Sequence, residues 1–251
     1  MHAQPLFFGK PRCHGVAFDL HHQLQEIYAD DSGECEITVG TSRVDVLRDG
    51  VVYEIQTNNL YSISRKIAGL LDDWPVVVVH PIARKTVFVY CEGDPPVEAR
   101  RRAGPRTGSV LDAFAETVSV AKLLAHPNLS LELPVIDVED VRRRTTDEEK
   151  ERIRKRRKRR RNSLPDWTTI NRRLIAVHEV IRLDIPTDGI QLLPTNLPDE
   201  FTSRMLGEAI RLSAWRARQV SYTLRHMGSI EQVRRTKDGI WYRRCERNSD
   251  A

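Results

Sequence analysis

Long apolar runs are missing from this 251-residue chain. Segments such as Val76-Val77-Val78-Val79 fall far short of the roughly 20 residues that cross a bilayer, which excludes a spanning helix. The start, Met1-His2-Ala3-Gln4-Pro5-Leu6-Phe7-Phe8, has neither the charged opening nor the apolar stretch of a secretory signal. Cysteine is scarce as well. The four residues, Cys13, Cys35, Cys91 and Cys245, are scattered without a C-x-x-C pair, so neither a structural zinc site nor a disulfide framework is expected. His21-His22 with Cys13 and His14 likewise lacks the spacing of a metal site. Together these absences predict a soluble, cytoplasmic, reduced protein, long enough for one large or two small domains.

What is present is unevenly distributed charge. The overall net of +5 combines −7 over residues 1–149, +9 over Lys150–Arg161 and +3 over residues 162–251. Ten Lys/Arg side chains against one acid in the central run, K-E-R-I-R-K-R-R-K-R-R-R, point to an anionic polymer as partner, nucleic acid above all. Such a run tracks phosphates and carries no sequence information of its own.

Ala17, Leu20, Leu24 and Ile27 recur at helical steps within Gly15–Ala29. Strand-like segments follow at Cys35–Val39, Arg43–Leu47 and Val51–Gln56. Leu60, Ile63, Ile67, Leu70 and Leu71 then mark a second helix. Pro75–Val79 reads as a strand buried on both faces, Thr86–Tyr90 as another strand, Arg100–Gly108 as a polar loop and Val110–Ala125 as a helix. Helix, three strands, helix, strand implies an α/β fold whose mixed sheet contains a βαβ crossover. The expected division is a first domain over residues 1–136, a basic linker over 137–163 and a second domain over 164–251.

Asp49-Gly50, set between two alternating runs, is a strong hairpin signal, because a two-residue type I′ turn needs positive φ at both positions. The register that follows pairs Arg48 with Val51, Val46 with Tyr53, Asp45 with Glu54 and Arg43 with Gln56. Glu54 and Gln56 share one face, and Val44, Val46, Tyr53 and Ile55 take the other. Two carboxylates opposed across a ladder repel each other, and a divalent cation removes that repulsion.

Asp45 followed by Glu54-x-Gln56 after a hairpin, framed by these helices and strands, resembles the core of the PD-(D/E)XK nucleases over roughly residues 14–90. The resemblance implies a restriction-endonuclease-like αβββαβ fold. It further implies a metal-dependent DNA endonuclease in which Asp45 and Glu54 bind Mg²⁺ or Mn²⁺. The family's usual lysine is replaced by Gln56, counted here among the catalytic residues, and Lys66 or Lys85 could restore the missing charge. Glu26 on the first helix is the best match to the further acid common in the family, with Glu36 as its alternative. His80-Pro81 closes a strand end of the kind that borders active sites.

In the last third, Thr202 and Ser213 are plausible N-caps of successive helices, and Gly228 ends the second of them at Met227. Its inner stripe is Ala217, Val220 or Ser221, and Leu224. Its outer side offers Trp215, Arg216, Arg218, Gln219, Tyr222 and Arg225. A hairpin with a basic tip, Arg234, Arg235 and Lys237, follows. An additional helix is expected over Thr169–Val180. This arrangement resembles a winged helix-turn-helix, an α+β unit that implies DNA binding by these nine side chains. The partners expected are therefore DNA, no membrane, and a second copy of the chain, since many nucleases of this class cut two strands as homodimers. The rival reading is a non-catalytic DNA-binding protein or regulator with a decayed nuclease core, favoured by Gln56 and opposed by the retained Asp45 and Glu54.

Overall fold

The Asp49-Gly50 turn closes as its residues dictate, with φ of 52° and 75°, and this hairpin organises the first half of the chain. The computed structural model describes residues 19–57, 60–93, 96–104, 110–156, 164–184, 186–237 and 239–245. Gly15–Phe18, Cys13, His14 and the Arg157–Arg161 part of the basic run lie outside them. Helix α1 (Leu20–Ala29), capped by the Asp19 carboxylate on the His22 N–H, leads into strands β1 (Glu34–Val39), β2 (Ser42–Arg48) and β3 (Val51–Ile55). Helix α2 (Ser64–Leu70) crosses over to β4 (Val76–Val79), which runs parallel to β3. Helix, three strands, helix and strand thus occur in the expected order.

Strand β5 (Ile82–Glu92) continues the line of β4 after a break at His80-Pro81, and both run parallel to β7 (Leu129–Arg144), in one register as far as Ala83 and shifted by one residue from Lys85 onward. Strand β6 (Val97–Ala103) pairs with β5, and β8 (Trp167–Leu183) pairs antiparallel with β7. The result is an eight-stranded mixed sheet in an α/β fold. Three expectations need correcting. Arg100–Ala103 is strand rather than loop. The supposed linker begins as the end of β7 and continues as helix α4 (Asp147–Arg156). Thr169–Val180 is strand β8, not helix; its apolar residues sit at helical spacing because three β-bulges against β7 shift the alternation.

Two apolar layers cover the sheet. On one side α1 packs Leu20, Leu24 and Tyr28 on Val46, Tyr53, Ile55, Val77, Val79, Ile136 and Val138. On the other, Ile67 and Leu70 of α2 and Phe114 of α3 (Val110–Glu116) cover Val52, Val76, Val78 and Leu131. Val44 belongs to this second layer although Val46 belongs to the first, contrary to the single face expected for them. The alternation breaks beside Glu36, whose φ of 56° is left-handed.

The C-terminal part adds β9 (Glu200–Thr202), α5 (Ser203–Ile210), α6 (Ala214–Met227), β10 (Ile230–Thr236) and β11 (Gly239–Arg244), with β11 between β9 and β10. Thr202 and Ser213 cap α5 and α6, and Gly228 ends α6 at φ 89°. Val220, Leu224 and Met227 join the layer around Phe114, and the Thr223 hydroxyl donates to the Phe114 carbonyl at 2.9 Å. Both halves therefore share one core. Among the described residues no helix is long and apolar enough to cross a membrane.

Phe114 is fully buried where α3 meets α6. Phe114→Ala is expected to cost roughly 3–5 kcal/mol, read as a lowered urea midpoint.

Candidate functional site

Alternation along β3 turns Glu54 away from the α1 layer and under α2. It is 1% exposed, and Lys66 Nζ of α2 stands 2.6 Å from its Oε1. Burial pushes the Glu54 carboxyl up to about 7, and the nearby Asp45 charge adds to the rise. Lys66 and the Asp45 backbone amide pull the other way. A carboxyl balanced near neutrality, beside an ammonium and a second acid, can exchange a proton or accept a cation.

The ladder between β2 and β3 ends at Val46–Tyr53, so Asp45 and Glu54 do not form the opposed pair the register implies. Instead Asp45 Oδ2 accepts the Ile55 N–H at 2.7 Å and replaces a backbone acceptor. Repulsion between two facing carboxylates gives a physical reason for the strands to part here. Asp45 Oδ1 lies 3.6 Å from His21 Nε2 of α1, and this contact raises the imidazole pKa despite partial burial. Glu36 completes the group from β1. It accepts from Gln25 Nε2 at 2.6 Å and pairs with Arg43 Nε at 2.7 Å.

Ligand atoms of His21, Glu36 and Asp45 all lie within 4.8 Å of one another. One imidazole and two carboxylates from three consecutive elements fit a divalent cation. Glu54, expected to share the metal with Asp45, is held by Lys66 instead. The expected Glu26 is exposed on the outer side of α1, 4.0 Å from His22; Glu36, the alternative, lies beside His21 and Asp45. Gln56 donates to Ser62 Oγ at 3.3 Å, and its carbonyl bonds His80 Nδ1 at 2.8 Å. His80 Nε2 in turn faces Glu116 at 3.5 Å, and this lowers the Glu116 pKa. Lys85 is exposed on β5. A cleft of about 400 Å³ opens beside the group, lined by Asp19, His21, Thr57, Thr169, Asn171 and Arg172.

On α6, Trp215, Arg218, Tyr222 and Arg225 are exposed and Gln219 is half-buried. Arg216 lies 3.9 Å from Glu116. Arg234 pairs with Glu200 and stacks on Trp241, so it braces the hairpin, while Arg235 and Lys237 are exposed near its tip. His21 was the residue least legible beforehand. Its relation to Asp45 depends on how α1 lies on the sheet, and no local spacing encodes that.

Because its pKa is raised, the folded state holds the Glu54 proton more tightly than the unfolded chain does. The resulting stability is full below about pH 4.5 and is lost as pH climbs through about 7. Without divalent cation, wild type is expected to lose roughly 3 kcal/mol relative to Glu54→Gln between pH 4.5 and 8, read by urea unfolding across that range.

Comparison with known proteins places the chain in a family. No solved structure matches the chain. An uncharacterized protein of Treponema pallidum (strain Nichols) is 28% identical over 124 residues, 49% of each chain, so the chain spans about half the length of this relative. Residues 18–184, which contain the whole acid, histidine and lysine group, match the family described as a domain of unknown function, DUF8091. That match spans well over half the chain, and the protein belongs to the DUF8091 family.

Proposed function

We propose that the protein is a metal-dependent phosphodiesterase acting on DNA, built on a PD-(D/E)XK-like core with a winged helix at its C-terminus. The observation that carries this reading is Lys66, set 2.6 Å from the buried Glu54 and supplied by the helix that follows. Lys66 would then stand in for the lysine missing at Gln56. Helix α5, α6 and the β10–β11 hairpin, with β9 added to its edge, support the winged-helix part.

Asp45, His21 and Glu36 would hold the cation, while Glu54 keeps its pairing with Lys66. An imidazole in the donor set favours Mn²⁺ over Mg²⁺, which takes oxygen ligands almost alone. Such an ion, when bound, polarises the phosphate and lowers the pKa of a coordinated water. In hydrolysis a water oxygen bonds to phosphorus in line, the bond to the leaving oxygen breaks, and a proton must leave the water while another reaches the leaving group. Lys66 supplies positive charge where the transferring phosphate becomes more negative. Glu54, balanced near pH 7, can take up the proton. The exposed Trp215, Arg218, Tyr222 and Arg225 on α6 offer groove and backbone contacts.

Supercoiled plasmid is expected to be cut with Mn²⁺ or Mg²⁺ and not with EDTA. Asp45→Asn should abolish cutting, and Lys66→Met should slow it about 100-fold or more while leaving the circular dichroism spectrum unchanged. Folded wild type that binds DNA but never cuts with either metal would favour the non-catalytic alternative instead.

A further inference from the structure

Beyond the two main layers, the far ends of β5 and β7, beside β8, share a small apolar cluster, Val89, Cys91 and Val141 with Val87 beside it. What covers them is charge, and it is sorted by face. On the face with the cluster, Arg101, Arg143 and Arg173 are each paired with a carboxylate, Glu98 and Glu139, Glu149, and Glu139 respectively. The opposite face continues the side on which α1 lies. There register and alternation bring together Arg100 and Arg102 of β6, Arg142 and Arg144 of β7 and Arg172 of β8, against only Asp140 and Glu92 among the described residues.

Asp140 is shared by Arg172 at 2.6 Å and Arg142 at 3.6 Å. Arg100, Arg102 and Arg144 have no carboxylate partner among the described residues. Rings hold two of them. The Arg100 guanidinium carbon lies 4.4 Å from the Tyr90 centroid and 5.7 Å from that of Trp167, and Arg144 lies 4.4 Å from Trp167. Tyr90 and Trp167 brace each other edge to face at 4.6 Å. A guanidinium stacked on a ring keeps its N–H edge free and loses little side-chain entropy on meeting an anion. Two such groups on one indole, uncompensated, suit phosphates spaced along a chain. Arg172, at the inner end of this face, also lines the cleft beside His21.

We infer that this arginine face of β5–β8 is a DNA-backbone track, separate from α6, that leads the strand to the His21–Asp45 cleft. The inference rests on the DNA-acting reading above and adds where the polymer lies. The test is fluorescence anisotropy of a labelled duplex with the full chain in EDTA, titrated at several salt concentrations. Arg100→Gln with Arg144→Gln should lower the slope of log affinity against log salt by roughly 2, whatever the duplex sequence. Arg100→Lys with Arg144→Lys should keep the wild-type slope. With metal added, the Gln pair should raise KM for cutting and leave kcat unchanged. If the Gln pair binds with wild-type slope and affinity while Arg218→Ala with Arg225→Ala binds poorly, the track is overturned and the DNA-acting reading stands. If wild type binds vesicles of anionic lipid but no duplex, both are overturned.

Discussion

A carboxylate buried in the middle of a sheet dominates this structure. Glu54 is 1% exposed, and transferring such a group from water costs several kcal/mol unless it is protonated or matched by opposite charge. The neighbouring elements can be understood as answers to that cost. Helix α2 delivers an ammonium to it. Strand β2 parts from β3 so that the second acid, Asp45, takes a backbone N–H and a histidine rather than facing Glu54. Glu36 adopts a left-handed backbone, pairs with the Arg43 guanidinium and accepts a hydrogen bond from Gln25. A sheet built only for stability would place valine at position 54, as it does at the neighbouring Val78.

From this point a chain of polar contacts leads to the other half of the molecule. The Gln56 carbonyl bonds His80, His80 faces Glu116 on α3, and Glu116 faces Arg216 on α6. The apolar packing around Phe114 follows the same route. The C-terminal helices are thus fixed against the sheet at two levels, by shared apolar volume and by charge, and α6 cannot reorient without disturbing the strand end beside Glu54.

Local chemistry made much of this legible. Asp49-Gly50 dictates its own turn, Thr202, Ser213 and Gly228 announce helix ends, and four consecutive valines announce a buried strand. Where the sequence misled, local and long-range effects diverged. Asp137–Arg144 is too polar to resemble a strand, yet four of its six charges, Asp137, Glu139, Asp140 and Arg143, are met by charges on β5, β6, β8 or α4, most of them remote in the chain. Strand β8 imitates a helix because its bulges displace the alternation of Leu174, Ala176 and Val177. Asp45 and Glu54 stand out in the sequence, and Lys66 does as one of two lysines able to supply charge, but the approach of His21 to Asp45 does not. His21 belongs to a pair with no recognisable spacing.

Every residue of β6 is exposed, and among the described residues no strand pairs with its outer edge, which leaves backbone groups open to an extended chain. A second copy adding itself antiparallel along that edge would bring Arg100, Arg101 and Arg102 against their own counterparts. Like charges directly across a ladder are unfavourable. The same arginines therefore act as a guard on an open border of the sheet, keeping neighbouring molecules from extending it into a fibre.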